Sequence, residues 1–495
     1  MRAWDLRSSL RRRLESERGA PLPRGDGRRV ALAYPSPYRA GMSSLGYQWI
    51  ATQLADAGFS VERVFLPDDV EAWRKARLPP LSMETGTPLS EFPLIAFSVA
   101  YELEIGGVVQ MLDLAGIPAL REARGERDPR VLVGGPLTFS NPLPVAPFCD
   151  AMLLGEADDV VADAVAGFFA HGDLAHVASL PGGFVPDAAE RLPAVARADD
   201  ARLPARSRIW SPETELHDMF LLEGERGCHR ACTFCVMRRS TNGGMRLVTP
   251  DALLALVPPE APRVGLVGAA ISDHPRLVEL LAALVEMGKG IGISSLRADR
   301  VALKPDIPRL LRAGGYNTLT VASDAASQRL RRTIQKGTTE AHLLACAEAA
   351  REHRYKVLKV YMMVGVPDET DDDVEELIAF SRRLADIHPV SLGIAPFVPK
   401  RNTPLDTAPF AGVPVVERRL ARIEKGLRGS RADVRPTSAK WAWVEHLLAQ
   451  GGPEAGLAAM EAVRAGGTFA AWKRAYRDVD PAAARPWQAY DAPVA

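Results

Sequence analysis

The sequence predicts an α/β protein: a doubly wound parallel-sheet domain first, a second series of strand-helix units after it, and a helical region at the end. Three observations lead there. Short continuous apolar runs alternate with amphipathic stretches of helical length, the pattern of parallel strands covered on both faces. The alternation occurs twice, over residues 28–171 and 213–425, and lapses over 172–212, a stretch rich in Pro, Ala, Arg and Asp. With 495 residues, 47% of them hydrophobic, the chain can bury about three separate cores. The formal net charge is zero, so the global balance calls for neither nucleic acid nor an anionic membrane as partner.

Residues 1–27 read as a short charged helix followed by a basic segment. Arg11, Arg12, Arg13, Arg24, Arg28 and Arg29 are among nine arginines that face four acidic residues within the first thirty positions. A solvated amphipathic helix with a basic tail explains them better than an RNA-binding arm. The N-terminus lacks the apolar core of a signal peptide, and no apolar run approaches the ~20 residues of a membrane span. No membrane partner and a cytoplasmic location are therefore expected.

Residues 28–171 form the doubly wound, Rossmann-like domain, with strands expected at 29–34, 61–66, 94–99, 130–134 and 151–154 and helices such as 45–58 and 103–115 between them. Ligands bind such a sheet at the carboxyl ends of its strands. The loops there carry Gly41 after the first strand, Ser98 and Glu102 after the third, and Gly134 with Gly135 after the fourth. Glycine lets backbone approach a bulky ligand, and helix N-termini can receive a phosphate. Cys149 beside the fifth strand and Cys346 in a helical run both read as buried packing. Residues 172–212 read as a linker packed over a surface.

From residue 213 the alternation restarts, with strands expected at 219–222, 264–267, 290–294, 318–322, 357–364 and 390–395. Thr249 with Pro250 marks one helix start as N-cap and first-turn proline, and Thr370 marks another. The acidic run behind Thr370 reads as first-turn carboxylates favoured by the helix dipole, not as a metal site. Residues 426–495 read as helical, a small cap on the preceding domain, with Trp441, Trp443, Phe469 and Trp472 as packing.

Directly after the run at 219–222 lies Glu225-Arg-Gly-Cys-His-Arg-Ala-Cys-Thr-Phe-Cys235. Three of the chain's five cysteines, Cys228, Cys232 and Cys235, fall within eight residues. Thiolates this close repel one another and are held by a metal that neutralises them. A structural zinc with His229 or a distant fourth ligand is one reading, although no second ligand pair lies nearby. Disulfides suit the pattern less well, because a secreted framework would spread its cysteines.

The C-x3-C-x2-C spacing, with Phe234 before the last cysteine, resembles the motif of the radical S-adenosylmethionine enzymes. The resemblance implies that Cys228, Cys232 and Cys235 hold a 4Fe-4S cluster, whose fourth iron is chelated by S-adenosylmethionine. It also implies an open (β/α)6 partial TIM barrel over 213–425 and an electron donor such as flavodoxin or ferredoxin. By the same resemblance Gly268-Ala269-Ala270 takes the place of a Gly-Gly-Glu loop that receives the cofactor's amino group. The glutamate is absent there, so backbone carbonyls would serve. Ser295 and Arg297 would meet the ribose or carboxylate. Asp324 stands where relatives carry Glu, and Gly365 would line the adenine site.

The loops around Gly41, Ser98, Glu102, Gly134 and Gly135 resemble those of the cobalamin-binding domain that precedes the radical domain in one large subgroup. The D-x-H-x-x-G motif that supplies a cobalt-ligating histidine elsewhere is missing. Three functions are compatible with this sequence. The first is a cobalamin-dependent radical enzyme, a methylase of an unactivated carbon in a small molecule, peptide or RNA. The second is a cobalamin-independent radical enzyme that rearranges its substrate or otherwise abstracts hydrogen, and the third is a non-catalytic metal-stabilised binding protein. A methylthiotransferase is disfavoured, because Cys149 is the only cysteine ahead of the motif.

Overall fold

Six runs in the first half of the chain pair into one sheet. The computed structural model describes residues 3–186, 188, 191–237 and 244–479. The chain divides into two units, Met1–Phe220 joined by Leu447–Ala495, and Leu221–His446. In the first unit β1 (Arg29–Tyr34), β2 (Ser60–Phe65), β3 (Leu94–Ser98), β4 (Arg130–Gly134), β5 (Ala151–Leu153) and β6 (Gly183–Phe184) lie in the order β2-β1-β3-β4-β5-β6. All neighbours are parallel except β5 and β6. The order reverses between β1 and β3, which opens a crevice at their carboxyl ends.

Both faces of this sheet are covered. Val30, Leu32, Leu94, Ala96 and Leu132 join one core with α2 (Leu45–Asp56) and α4 (Val161–His171). Successive strand residues point to opposite faces. Ala31, Ala33, Ile95, Phe97, Val131 and Val133 therefore belong to the other face, and they too are buried. That double burial is why the strands read as unbroken apolar runs.

The N-terminal helix, α1 (Ala3–Ser16), is tied down rather than free. Leu6 is buried, and Arg13 pairs with Asp68 and Glu213. Just beyond α1, Glu17 accepts from buried Arg63 at 2.8 Å and from Tyr38 Oη at 2.8 Å, while Glu84 takes the Arg63 Nε at 2.6 Å. The stretch expected as a linker supplies β6, and Ile209–Trp210 pairs with Arg18–Gly19.

The second unit contains the six expected strands in order: β7 (Met219–Glu223), β8 (Arg263–Val267), β9 (Gly290–Ile293), β11 (Thr318–Ala322), β12 (Val357–Val364) and β13 (Val390–Pro396). Pairing is interrupted after β9 and resumes at β10 (Leu296–Arg297). From β10 to β13 every pair is parallel. Helices follow the strands, among them α5 (Leu277–Glu286), α6 (Gln328–Thr333), α7 (Glu340–Glu352) and α8 (Asp371–Ile387). Thr370 caps α8 through a capping box with Asp373. Asp373 in that first turn is buried, and it holds Arg329 and Ser327.

Two expectations for the end of the chain need correction. Residues 432–436 form β14 (Ala432–Pro436), parallel to β13, where a helix was expected. Its Asp, Arg and Pro give no apolar signal, and the pairing comes from the edge that β13 offers. The helical region is present as α9 (Val413–Gly426), α10 (Ala439–Gln450), α11 (Pro453–Arg464) and α12 (Phe469–Ala475). From Leu447 onward, however, it belongs to the first unit and not to the second, on which a cap was expected. Ala455, Gly456, Ala459 and Ala462 form a small, buried face that lets α11 pack against residues 143–148 and α3 (Glu104–Ala115).

Candidate functional site

The cysteine loop begins where β7 ends. Gly224 donates to Val267 O at 3.0 Å, and Glu225–Arg226 forms a two-residue ribbon with Arg246–Leu247. Gly227, at φ +98°, makes the left-handed turn that swings the chain into Cys228. The Thr233 N–H donates to Ile334 O at 3.1 Å, and Thr233 O accepts from Leu405 N–H at 3.2 Å. Arg230 forks onto Asp273 with bonds of 2.8 and 2.5 Å. The loop is thus anchored on three other segments of its own unit.

All three thiols are free; Cys232 is buried, and Cys228 and Cys235 are half-buried. Burial pushes the Cys228 and Cys235 thiols up, their repulsion with Cys232 adds to it, and the backbone N–H groups of Arg230 and Met237 oppose it. Such thiols give up their protons when a cation takes their charge. Among the described residues no three His, Cys, Asp or Glu groups gather closely enough to hold one ion, and His229 is half-exposed, 4.0 Å from Asp273. Three separated thiolates on one anchored loop fit a cluster, which takes one thiolate per iron.

Around the loop the unit gathers most of the residues expected there. Gly268, at the end of β8, lies against the Glu225 side chain, and a Cβ on it would overlap that carboxylate. Glu225 Oε1 accepts from Ala270 N–H at 2.5 Å. Burial pushes Glu225 up to about 7, against that hydrogen bond, and the charges of Glu223 and Asp273 add to the rise. Ser295 is exposed just past β9. Phe234 is half-buried within the loop.

Arg297 is already occupied by protein partners: Asp299 at 3.0 Å and the Lys336 carbonyl at 3.1 Å. Asp324, at φ +61°, pairs with Lys336, and the Lys336 charge is felt at Cys235. A non-glycine residue in the left-handed region at a strand end is the kind of strain that collects at ligand sites. Gly365, at φ +81°, is held by its own turn, since Glu369 accepts from the Gly365 and Val366 N–H groups at 2.5 and 3.1 Å.

Sequence reasoning missed Glu225, Asp273 and Lys336. Glu225 stood inside the quoted motif, three residues before Cys228. Asp273 carries the loop, with Arg230 on one side and Arg300 at 2.6 Å on the other. Burial opposes its ionisation, but these arginine hydrogen bonds outweigh that and hold it at about 2.

In the first unit, the three loops do come together at the carboxyl edge of the sheet, as strand order requires. Their glycines serve different ends. A Cβ on Gly41 would overlap the Phe65 ring, so this glycine is needed for internal packing. Gly135 adopts φ 102°, ψ 177°, and a Cβ there would come within 2.6 Å of Val99 O. Gly134 is the open position, with only Leu153 O near a Cβ, at 3.7 Å. Ser98 and Glu102 are buried, and nearby Glu104 accepts from Ser36 Oγ at 2.9 Å and Ala100 N–H at 2.6 Å. Loops 35–44, 98–104 and 134–142 contain no histidine.

Two family profiles match the chain. Residues 46–181 match "Radical SAM proteins, N-terminal", and residues 224–381 match "Radical SAM superfamily". An uncharacterized protein of Methanocaldococcus jannaschii is 28% identical over 412 residues, 81% of this chain and 83% of that protein. Among solved structures, the cobalamin-dependent S-adenosylmethionine radical enzyme OxsB with aqua-cobalamin bound aligns with TM-score 0.49 and 14% identity, over 73% of this chain and 53% of its own. The coproporphyrinogen III oxidase HemN of Escherichia coli aligns with TM-score 0.29 and 16% identity, over 42% of this chain and 52% of its own. The chain thus spans about half the length of these solved structures. Both profiles are of radical SAM proteins and together they match more than half of the chain; the second begins four residues before Cys228 and takes in the anchored loop and β8 to β12, and on that agreement the chain belongs to the radical S-adenosylmethionine superfamily.

Proposed function

We propose that this protein holds a 4Fe-4S cluster on Cys228, Cys232 and Cys235 and uses it on S-adenosylmethionine to start radical chemistry on a substrate. The observation that carries this reading is the set of three free, partly buried thiols on one loop fixed by Arg230 and Thr233. When bound and reduced, such a cluster supplies one electron that splits the sulfur-carbon bond of S-adenosylmethionine and yields a 5'-deoxyadenosyl radical. The chain's own residues hold and orient. Arg230 with Asp273 fixes the loop, Gly268 keeps the end of β8 low beside Glu225, and Ser295 offers an exposed hydroxyl at the end of β9. An external reductant of the flavodoxin or ferredoxin type completes the system.

The finer reading is methylation of an unactivated carbon with cobalamin at the carboxyl edge of the first sheet, where Gly134 at the end of β4 leaves room. Cobalamin, when bound there, would supply the methyl group, and no histidine from the three loops would ligate its cobalt. A second reading, hydrogen abstraction without cobalamin, is favoured by Gly41 and Gly135, whose missing side chains are filled by the chain's own atoms.

Anaerobic reconstitution with iron and sulfide tests the first reading. About four irons per chain, a paramagnetic reduced cluster and cleavage of S-adenosylmethionine are expected, and all three should be lost in Cys232→Ala. Cys149→Ala and Cys346→Ala should keep them, because both thiols are fully buried and neither belongs to the cysteine loop. Cleavage unimpaired in Cys232→Ala would overturn the reading. Reconstitution with hydroxocobalamin, desalting and an absorption spectrum then separates the cobalamin-dependent from the cobalamin-independent form.

A further inference from the structure

Glu225 is a buried carboxylate with half of its hydrogen-bonding capacity unused. Its residue exposure is 1%, Oε1 accepts from Ala270 N–H at 2.5 Å, and Oε2 has no partner among the described residues. A carboxylate taken out of water and left without a cation is costly, and structures normally supply one. Nearby arginines are committed elsewhere: Arg226 to Glu223 at 2.6 Å, and Arg230 and Arg300 to Asp273 at 2.5 and 2.6 Å. No ion pair forms on Glu225 among the described residues. Gly268 is bare of side chain where it meets this carboxylate, and Ala269 beside it is exposed at the end of β8.

We propose that Glu225 receives the α-ammonium group of S-adenosylmethionine, and so does the work that the loop Gly268-Ala269-Ala270 has no side chain to do. The inference rests on the superfamily reading above and assigns one residue to one charge of the cofactor. Chemically the match is direct, because an ammonium brings three donors and a positive charge to an oxygen that lacks both. Only Arg226 and Gly227 separate Glu225 from Cys228 along the chain, so the group that meets Glu225 sits beside the cluster. Glu225 acts here as a binding residue.

The test uses the protein reconstituted with its cluster. Wild type, Glu225→Gln and Glu225→Asp are titrated with S-adenosylmethionine and with its analogue in which hydrogen replaces the α-amino group. Binding is read by equilibrium dialysis and by the change in the electron paramagnetic resonance spectrum of the reduced cluster. Glu225→Gln should bind S-adenosylmethionine about tenfold or more weakly, the loss of one charge-assisted hydrogen bond, while its affinity for the analogue stays within about twofold. Glu225→Asp keeps the charge and should lose less. Equal binding of S-adenosylmethionine by Glu225→Gln and wild type would overturn the proposal. So would an equal loss of both ligands at unchanged iron content, which would make Glu225 a support of the loop. A wild type that shows no preference for S-adenosylmethionine over the analogue overturns it whether or not the variants fold. A wild type that takes up iron but binds neither ligand overturns the superfamily reading of the site itself.

Discussion

At the scale of single residues, the site divides into what spacing reveals and what folding assembles. Cys228, Cys232 and Cys235 were legible because their chemistry and their proximity are both written along the chain. Asp273 was not, since nothing marks one aspartate among many until Arg230 and Arg300 fold onto it. Its carboxyl is held at about 2, below the 3.8 of an unperturbed group, so the stability it confers is full above about pH 4 and is lost as pH falls through about 2. Asp273→Asn should therefore cost about 2 kcal/mol at neutral pH and flatten the acid limb of the stability curve between about pH 4 and 2. Urea unfolding at pH 7 and at pH 3 checks this, and an equal loss at both would contradict it. The variant should also loosen the cysteine loop and lower its iron content, because the Arg230 fork loses its charged partner.

At the scale of elements, the parallel strands were legible because double burial writes them as unbroken apolar runs, whereas β14 was not, because an edge pairing needs no apolar residues. The loop glycines show a different limit. Sequence marks Gly41, Gly134 and Gly135 alike as places where backbone approaches something bulky, but only the fold shows what approaches. Gly135 lies in a region of φ and ψ essentially reserved for glycine and presses on Val99. Gly135→Leu should thus destabilise the first unit by at least ~1–3 kcal/mol with or without cobalamin. It is a poor test of ligand exclusion. Gly134→Leu is the better one: its φ is not in the left-handed region, and a Cβ there meets only Leu153 O, at an ordinary contact distance of 3.7 Å. It should leave the unfolding midpoint of the first unit nearly unchanged and abolish cobalamin retention after desalting. Retention equal to wild type in a folded Gly134→Leu protein would remove cobalamin from this crevice.

At the scale of the whole molecule, the chain returns to its beginning, and this was invisible in sequence because an amphipathic helix declares a buried face without declaring what it covers. Asn141 donates to the carbonyls of Leu448, Ala449 and Gly451 at 3.1, 3.1 and 2.7 Å. Arg464 on α11 pairs with Asp113 on α3 at 2.8 Å. Trp472 on α12 is 4% exposed and stacks on Tyr476 at 5.8 Å, whose hydroxyl donates to Ala455 O at 2.5 Å. The last helices are therefore structural members of the first unit, whose two chain segments flank the second unit in sequence. Removing a buried tryptophan side chain costs ~3–5 kcal/mol, so Trp472→Ala should lower the stability of the first unit by that amount. Six of the eight tryptophans lie in the first unit and the cysteine loop lies in the second, so tryptophan fluorescence reports mainly on the first and the iron-sulfur absorbance on the second. In Trp472→Ala the first reporter should melt earlier while the cluster absorbance holds its wild-type midpoint. A cluster midpoint that falls in step with the first transition would mean that α12 stabilises the second unit as well.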